Sequence, residues 1–343
     1  MIKEKLELVL VTYNRAPYLE NTLKQFLNSP FRDCKFTILD NCSPDETSEI
    51  CEKYYKLFPN MTIIRHNRNI GGNANITQGL RTSTLEYTWL LADDDNYDFT
   101  DCDDVISAVL SSKYDFIHVS SPLLPTNKKE NQEKDLTEII EEININREIH
   151  AVDLVHHIKG KYFMDLAFIS SYIFKTELLG SDEIINAYDN VPNFFPQFAL
   201  ISKTVNENLF MYRAKHDLII QGDNPENDAE HTYTYTKFYE GWLNSGLMLE
   251  DKKIRNIFYK NLDNHSLPTN NYLIVLPVAI MTDKALCKKN VKNNVISLIA
   301  VLYKHTGWIK GFFLSVYLFS IYLIPSIIYK KMYEKIYEKV IRS

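Results

Sequence analysis

Cysteine is scarce in this sequence, and the cysteines present are not spaced as pairs. There are five in 343 residues, an odd number, and no Cys-x-x-Cys occurs. This usage is typical of reduced packing residues in a cytosolic protein rather than of a disulfide framework. The five are Cys34, Cys42, Cys51, Cys102 and Cys287.

An excess of positive charge is also missing. Lys and Arg number 38 against 44 Asp and Glu, which gives a formal net charge of −6. This balance argues against a general nucleic-acid binder, because such proteins present basic patches to phosphates. We also expect no signal peptide, since the apolar stretch after Lys5 is too short. A hydrophobic content of 45% excludes a disordered chain and indicates a folded core.

Strand and helix patterns alternate along the first part of the chain. Residues 6–12, 35–39 and 61–65 are β-rich, and segments with helical periodicity separate them. A fourth apolar run ends near Leu91. Strands alternating with helices predict a doubly wound parallel sheet. The run Ser-Pro-Asp-Glu at 43–46 predicts a capping box that begins the second helix.

Polar side chains follow each of these four strands. They lie at 12–15, at 40–41, around a glycine turn at 69–73, and in the aspartate triplet 93–95. Because ligands of such sheets bind outside the carboxyl ends of the strands, the four clusters predict one site. Three adjacent carboxylates repel one another unless a cation lies among them, and oxygen ligands suit Mg²⁺ or Mn²⁺. For the triplet alone, a solvated acidic turn is the alternative.

In order and spacing, these clusters resemble the nucleotide-sugar-binding half of a family 2 glycosyltransferase of the GT-A fold. The resemblance rests on Val-Thr-Tyr-Asn-Arg before a helix, Asp40-Asn41-x-Ser43-x-Asp45, Asn69-x-Gly71-Gly72 and the aspartate triplet. It implies a Rossmann-like α/β domain with a mostly parallel sheet and flanking helices. The reaction it implies is inverting, metal-dependent transfer from a nucleotide sugar, usually UDP-linked, to a hydroxyl of a glycan or lipid-linked acceptor in surface polysaccharide or oligosaccharide synthesis.

The resemblance also assigns roles to individual residues. Binding of the nucleotide sugar would fall on Thr12, Tyr13, Asn14, Arg15, Asp40, Asn41, Asn69, Gly72, Asp93 and Asp94. Asp93 and Asp95 match the family's Asp-x-Asp metal motif, with Asp95 on the metal and Asp94 either a ligand or a spacer. A histidine close to the diphosphate is expected too; His216 and His231 both qualify, and His216 is the candidate metal ligand.

The sequence departs from the family pattern where the catalytic base is expected. Many relatives carry a Glu-Asp pair on the helix after the acceptor-side strand, which would be 167–175 here. No such pair is present, and Gln197 stands near its place. Asp189 is the nearest carboxylate and becomes the candidate base, with a simple helix-end aspartate as the alternative. The next nearest carboxylates in the sequence are Asp165, Asp182 and Glu183.

These patterns predict a GT-A domain at 1–225 followed by a helical region at 226–343. Within the domain, 1–120 would bind the nucleotide sugar and 121–225 would form the acceptor half. The polar stretch 121–150 is predicted to be a solvated insertion.

The C-terminal segment 309–343 is predicted to associate with a membrane. Residues 311–329 are uncharged, at the lower edge of a spanning length, and contain Pro325; lysines alternate with apolar residues after position 330. That composition favours a helix in the interface of an anionic membrane, and hence a cytoplasmic enzyme peripheral to the inner face of the cell membrane. A helix packed on its own domain or on a partner subunit of a homo-oligomer, and a true span, are the alternatives.

Two other functions stay open at this point. A sugar nucleotidyltransferase shares the sheet and the metal, but its first loop is usually rich in glycine, and Tyr-Asn-Arg-Ala-Pro has none. The missing Glu-Asp pair is the reason to keep as a second alternative a non-catalytic glycosyltransferase-like module that anchors or pairs with an active enzyme.

Overall fold

The computed structural model describes residues 1–119, 147–157, 168–193, 195–220, 234–261, 272–286, 288 and 290–331. The chain forms two compact units. The first is Met1–Val191 with Pro196–Pro225, and the second is Pro192–Phe195 with Glu226–Ser343. Asp165, His231 and most of the predicted insertion lie outside the described residues.

Strands and helices alternate through most of the first unit. Its first part comprises β1 (Leu6–Thr12), α1 (Ala16–Leu27), β2 (Lys35–Asp40), α2 (Thr47–Tyr55), β3 (Met61–Arg65), α3 (Gly72–Thr82), β4 (Tyr87–Leu91), β5 (Asn96–Tyr97), α4 (Asp103–Ser111) and β6 (Phe116–His118). Its second part comprises β7 (Glu148–His150), α5 (Ala151–His157), β8 (Tyr172–Lys175), α6 (Ser181–Asp189), α7 (Phe198–Asn206), β9 (Phe210–Arg213) and β10 (Ile219–Ile220). The four strands predicted up to Leu91 are confirmed.

Eight of these strands form one sheet in the order β3-β2-β1-β4-β8-β6-β9-β7. The four strands from β3 to β4 are parallel, whereas β8 is antiparallel to both of its neighbours. Since β8 is antiparallel to both β4 and β6, those two strands run the same way, and β9 is parallel to β6. Six strands therefore end at one edge of the sheet, and the predicted α/β fold with a mostly parallel sheet is confirmed.

Aromatic side chains fill one face of this sheet beside the aspartate triplet. Trp89 of β4 packs edge-on against Phe26 and Phe31, with ring centroids 5.8 and 5.6 Å apart. Tyr97 lies 4.8 Å from Phe26 and is buried. Each such pair contributes about 0.5–1.5 kcal/mol beyond its buried area. The triplet is therefore held between two buried anchors, the end of β4 and Tyr97.

The predicted capping box is wrong. α2 begins at Thr47 with Glu46 as its N-cap residue, not at Ser43. The Ser43 hydroxyl instead donates to Asp40 Oδ1 at 2.5 Å, so it is engaged within the loop after β2. Asp45 takes over the capping role, since its Oδ1 accepts from the Thr47 hydroxyl at 2.6 Å. The local sequence rule for a helix start fails here because Ser43 bonds to the end of β2 and to the loop after β1 instead of capping a helix.

The stretch 121–150 is not entirely an insertion. Glu148–His150 form β7, an edge strand that pairs antiparallel with β9. Three residues are too few to carry a recognisable strand signal, and pairing to a distant strand supplies the stability.

Helices make up the described part of the second unit, as predicted. They are α8 (Tyr235–Gly246), α9 (Lys252–Asn261), α10 (Tyr272–Ala285) and α11 (Val291–Leu323). Trp242 stacks on Phe258 at 4.3 Å, and the buried Asp283 accepts hydrogen bonds from the backbone N–H groups of Tyr235 and Thr236. A carboxylate at the N-terminus of α8 satisfies amides that the helix itself leaves unpaired.

Two breaks interrupt the C-terminal helical segment. Gly307 has φ 75°, which divides α11 into two pieces. The second piece ends at Leu323, before Pro325, and helical residues resume at 326–331. Lys284 donates to the carbonyl of Ile324 at 2.5 Å beside the second break. In the described part of the chain, no helix has the length and apolarity that crossing a membrane requires.

Candidate active site

Side-chain hydrogen bonds join the first two loops at the carboxyl edge of the sheet. The backbone N–H of Asn14 donates to Ser43 Oγ at 2.9 Å, and that of Ala16 donates to Asp45 Oδ2 at 2.9 Å. Asn14 has φ 55°, a conformation that asparagine adopts more readily than most residues. The loop after β1 is thus fixed against the loop after β2, which explains why polar residues follow both strands.

Asp40 lies at the centre of this pair of loops. It is 1% exposed, and its Oδ1 accepts from the Ser43 N–H at 2.9 Å. Its Oδ2 lies 3.2 Å from Arg65 Nη1, an ion pair that the sequence did not predict. Arg65 ends β3 and is the register partner of Asp40, so its position at a strand end is the signal that could have identified it.

Asn41 and Asn69 hold the third loop. Asn41 Oδ1 accepts from the Ile70 N–H at 2.9 Å, and Asn41 Nδ2 donates to Asn69 Oδ1 at 3.0 Å. Asn69 Oδ1 also accepts from the N–H of Gly71, whose φ of 92° places it where glycine is favoured. Gly72 then begins α3 at this edge of the sheet. These contacts give both asparagines a structural role in the loop.

The aspartate triplet meets the first loop directly. Asp93 is 5% exposed, and its Oδ2 accepts from the Thr12 hydroxyl at 2.6 Å. Arg15 Nη1 contacts Asp94 Oδ2 and lies 3.5 Å from Asp93 Oδ1. The structure therefore brings the predicted residues of 12–15 together with those of 93–95.

Helix α1 supports the triplet through polar residues that the sequence did not single out. The Thr22 hydroxyl donates to the backbone carbonyl of Asp93 at 2.9 Å, and Asn21 Nδ2 donates to Asn96 Oδ1 at 3.2 Å. Gln25 Oε1 accepts from the Tyr97 N–H. These three residues occupy adjacent positions on the helix surface, and a polar stripe on a helix that is otherwise half-buried is the signal that could have revealed them.

Ser170 supports the triplet from the other side. Its hydroxyl accepts from the Ala92 N–H at 2.9 Å, and its carbonyl accepts from Trp89 Nε1 at 2.7 Å. Ser170 precedes β8, the antiparallel strand beside β4, so the strand order itself brings it to the aspartates.

Burial shapes the electrostatics of these carboxylates. It raises the pKa of Asp93 to about 7, and Asp94 adds to the rise while Arg15 and the Thr12 hydroxyl oppose it. Burial likewise raises the pKa of Asp95 to about 6, against a hydrogen bond with Ser170. The site therefore holds more negative charge than its surroundings stabilise, and a cation bound there would relieve it.

The available ligands fit a magnesium or manganese ion better than a metal that is coordinated by protein side chains alone. Among the residues that the structure describes, no three His, Cys, Asp or Glu side chains are grouped to hold a metal. Mg²⁺ is typically held by one or two carboxylates together with substrate phosphates and water. Asp93 and Asp95 supply that number and type of oxygen ligand.

The candidate base lies on a helix that contacts the third loop. Asp189 is exposed and is the last residue of α6. Next to it, the Tyr188 hydroxyl accepts from Gln78 Nε2 at 2.9 Å, and the carbonyl of Val191 accepts from Asn73 Nδ2 at 2.8 Å. Both donors belong to α3, so the end of α6 lies beside the helix that starts at the glycine turn. Its role as a base stays a prediction.

His216 lies beside the strand that follows the triplet. It is exposed in the turn after β9, and its charge contributes to the lowering of the pKa of Asp98, behind the larger effect of hydrogen bonds from Thr100. The β10 strand that follows His216 pairs antiparallel with β5. The contact of His216 with a metal ion stays a prediction.

Comparison with known proteins gives one family match. The sequence profile described as "Glycosyl transferase family 2" matches residues 7–210. This range contains the candidate site residues from Thr12 to Asp189, whereas His216 lies outside it.

Two curated relatives match parts of the chain. The minor teichoic acid biosynthesis protein GgaA of Bacillus subtilis is 26% identical over 230 residues, which are 61% of this chain and 47% of that protein. The GalNAc(5)-diNAcBac-PP-undecaprenol beta-1,3-glucosyltransferase of Campylobacter jejuni is 29% identical over 92 residues, 26% of this chain and 30% of that protein. The matched regions thus span less than half of either relative.

A solved structure shares the fold. The crystal structure of S. aureus TarS 1-349 in complex with UDP-GlcNAc aligns with a TM-score of 0.56 at 14% identity, covering 96% of this chain and 92% of that chain.

Proposed function

The chain belongs to glycosyl transferase family 2, and from this premise we propose that it is an inverting enzyme that transfers a sugar from a UDP-linked donor to a hydroxyl of a lipid-linked or teichoic-acid-type glycan. The observation that carries the proposal is the edge of the sheet, where hydrogen bonds join the loops after β1, β2 and β3 and the triplet after β4. The names of the relatives support the acceptor class, and the TarS complex supports UDP as the carrier.

The first two loops would hold the nucleoside. Asp40 offers a carboxylate that accepts hydrogen bonds and is already fixed by Ser43 and Arg65. Tyr13 is 40% exposed at the same edge, so its ring is available to a base. A rigid acceptor and an exposed aromatic surface are what recognition of a pyrimidine base requires.

Asp93 and Asp95 would hold the Mg²⁺ or Mn²⁺ that the family resemblance implies. When bound, such an ion neutralises charge that develops on the departing diphosphate. The protein's own part is to keep both carboxylates in place, and the bonds from Thr12 and Thr22 do so for Asp93. Asp189 would accept the proton of the acceptor hydroxyl, which attacks the sugar from the face opposite the diphosphate.

A donor-binding and transfer assay tests this function. We expect UDP to bind more tightly with Mn²⁺ than without it, and one of a pool of UDP-sugars to be transferred to a lipid-linked acceptor. The metal-dependent part should weaken as the pH falls from 8 to 6, because Asp93 and Asp95 gain protons in that range and protonated carboxylates do not bind metal. UDP binding without transfer would instead support the non-catalytic module, and absence of both would refute the proposal.

We also propose that the C-terminal segment binds the cytoplasmic surface of an anionic membrane. Large apolar side chains are exposed there, including Trp308 at 85% and Phe313 at 69%. Six Lys and Arg residues against two acidic residues, Glu334 and Glu338, occur between positions 309 and 343, in a chain whose net charge is −6. An apolar surface with positive charge around it fits anionic headgroups, and each lysine near the surface contributes about 1 kcal/mol.

Vesicle flotation tests the membrane proposal. The full chain should float with vesicles that contain anionic lipid and should be released by salt, because the lysines are screened. The double variant Trp308→Ser/Phe313→Ser should bind at least about tenfold more weakly, since two exposed side chains no longer enter the interface. Tyr55→Ser removes a similarly exposed aromatic ring from the first unit and should bind normally. Unchanged flotation of the double variant, or concentration-dependent dimers instead of lipid binding, would contradict the proposal.

A further inference from the structure

Arg15 occupies the position of a counter-ion in the candidate site. Its guanidinium contacts Asp94 Oδ2 and lies 3.5 Å from Asp93 Oδ1. The Arg15 side chain is 25% exposed, so water and ligands reach it from the edge of the sheet. One side chain thus gives positive charge to two of the three carboxylates.

We propose that Arg15 and a divalent cation compete for the aspartate triplet, so that the metal binds well only when Arg15 has left. The inference rests on the proposed metal-dependent function and concerns how this chain controls access to the metal. Two positive groups close to the same carboxylates repel each other, and the repulsion is strong where burial lowers the dielectric constant. A bound Arg15 therefore lowers the affinity for Mg²⁺ or Mn²⁺.

The geometry lets Arg15 leave without disturbing the carboxylate of Asp93. Thr12 holds the carboxylate of Asp93 at 2.6 Å, and Thr22 holds its backbone carbonyl at 2.9 Å. Arg15 itself is the N-cap residue of α1, and its guanidinium carbon lies 6.0 Å from the centre of the Tyr18 ring. Tyr18 thus gives the guanidinium a neighbour that does not involve the carboxylates.

A nucleoside diphosphate supplies the reason for Arg15 to leave. A guanidinium binds phosphate oxygens in the same two-pronged manner as carboxylates. When the diphosphate arrives at this edge, Arg15 gains a new partner and the aspartates become free for the metal. Nucleotide and metal then bind cooperatively, and by linkage each raises the affinity for the other by the same factor.

Direct measurement of Mn²⁺ binding separates competition from a structural role. Free Mn²⁺ is followed by electron paramagnetic resonance during titration of the full chain, without nucleotide. Arg15→Gln should bind Mn²⁺ about tenfold more tightly than the wild type, because the competing charge is gone. Arg15→Lys keeps the charge and should stay close to the wild type. Arg32→Gln makes the same substitution at an exposed arginine outside the site and should change nothing.

UDP gives the second arm of the experiment. At saturating Mn²⁺, Arg15→Gln should bind UDP more weakly than the wild type, since the diphosphate has lost its guanidinium partner. Tighter metal binding with weaker nucleotide binding is a pair of opposite effects that a damaged site would not produce. Equal or weaker Mn²⁺ binding by Arg15→Gln would overturn the competition, even if wild-type protein binds both UDP and Mn²⁺ as proposed above. If neither protein binds Mn²⁺ at all, the metal-dependent function fails and the competition with it.

Discussion

Asp95→Ala is expected to reduce sugar transfer by about a thousandfold or more. Asp95 is the member of the triplet whose carboxylate is not taken by Thr12 or Arg15 in the described contacts, so it is the best placed to bind a metal. The pKa of Asp95, raised to about 6 by burial, leaves the group ionised near neutral pH. Loss of that charge would remove a ligand for the ion, together with the hydrogen bond between Asp95 and Ser170.

Asp95→Ala is compared with the wild type by kcat/KM for transfer and by the affinity for Mn²⁺. Asp98→Ala is the matched control, because the side chain of Asp98 is exposed three residues further along and hydrogen-bonds only to Thr100 in the described contacts. The control should keep both properties, whereas Asp95→Ala should lose both. Normal turnover in Asp95→Ala would exclude Asp95 as a metal ligand and leave Asp93 and Asp94 as the candidates.

The first half of the site could be predicted because its information is local. Each of the four parallel strands is a short apolar run, and polar residues follow at its carboxyl end. Parallel strands end at one edge, so Thr12, Asp40 and Asp93 had to lie near one another. The contact between Thr12 and Asp93 at 2.6 Å follows from β1 and β4 being neighbours.

The contacts that the sequence did not reveal join segments far apart in the chain. The antiparallel insertion of β8 between β4 and β6 brings Ser170 to the aspartate loop, and nothing in the local pattern of 167–175 encodes that pairing. The ion pair of Arg65 with Asp40 depends on two strand ends being in register. Such contacts are decided by which strands pair, and a strand pattern does not specify its partner.

Polar residues with two possible uses were the other source of error. The run of serine, proline and two acids at 43–46 satisfies the rule for a helix start, yet Ser43 bonds to Asp40 and Asn14 instead. The assignment of Arg15 to the nucleotide stays a prediction, to which the structure adds a contact with Asp94. Ser43 has several compatible partners and takes those that the tertiary structure places nearest, which the sequence alone does not rank.

Asp189→Asn is expected to lower kcat by about 10²–10⁴-fold, the contribution of a positioned general base. Affinity for UDP and Mn²⁺ should stay unchanged, because as the base Asp189 would contact the acceptor hydroxyl rather than the donor. Asp182→Asn is the matched control, since Asp182 is an exposed aspartate in the first turn of the same helix α6. Gln197, which stands near the usual place of the base, is buried at the N-cap of α7 and has no ionisable group, so it leaves Asp189 as the carboxylate to test. Normal kcat in Asp189→Asn would assign proton transfer to another group, and a loss of UDP binding would give Asp189 a role on the donor side instead.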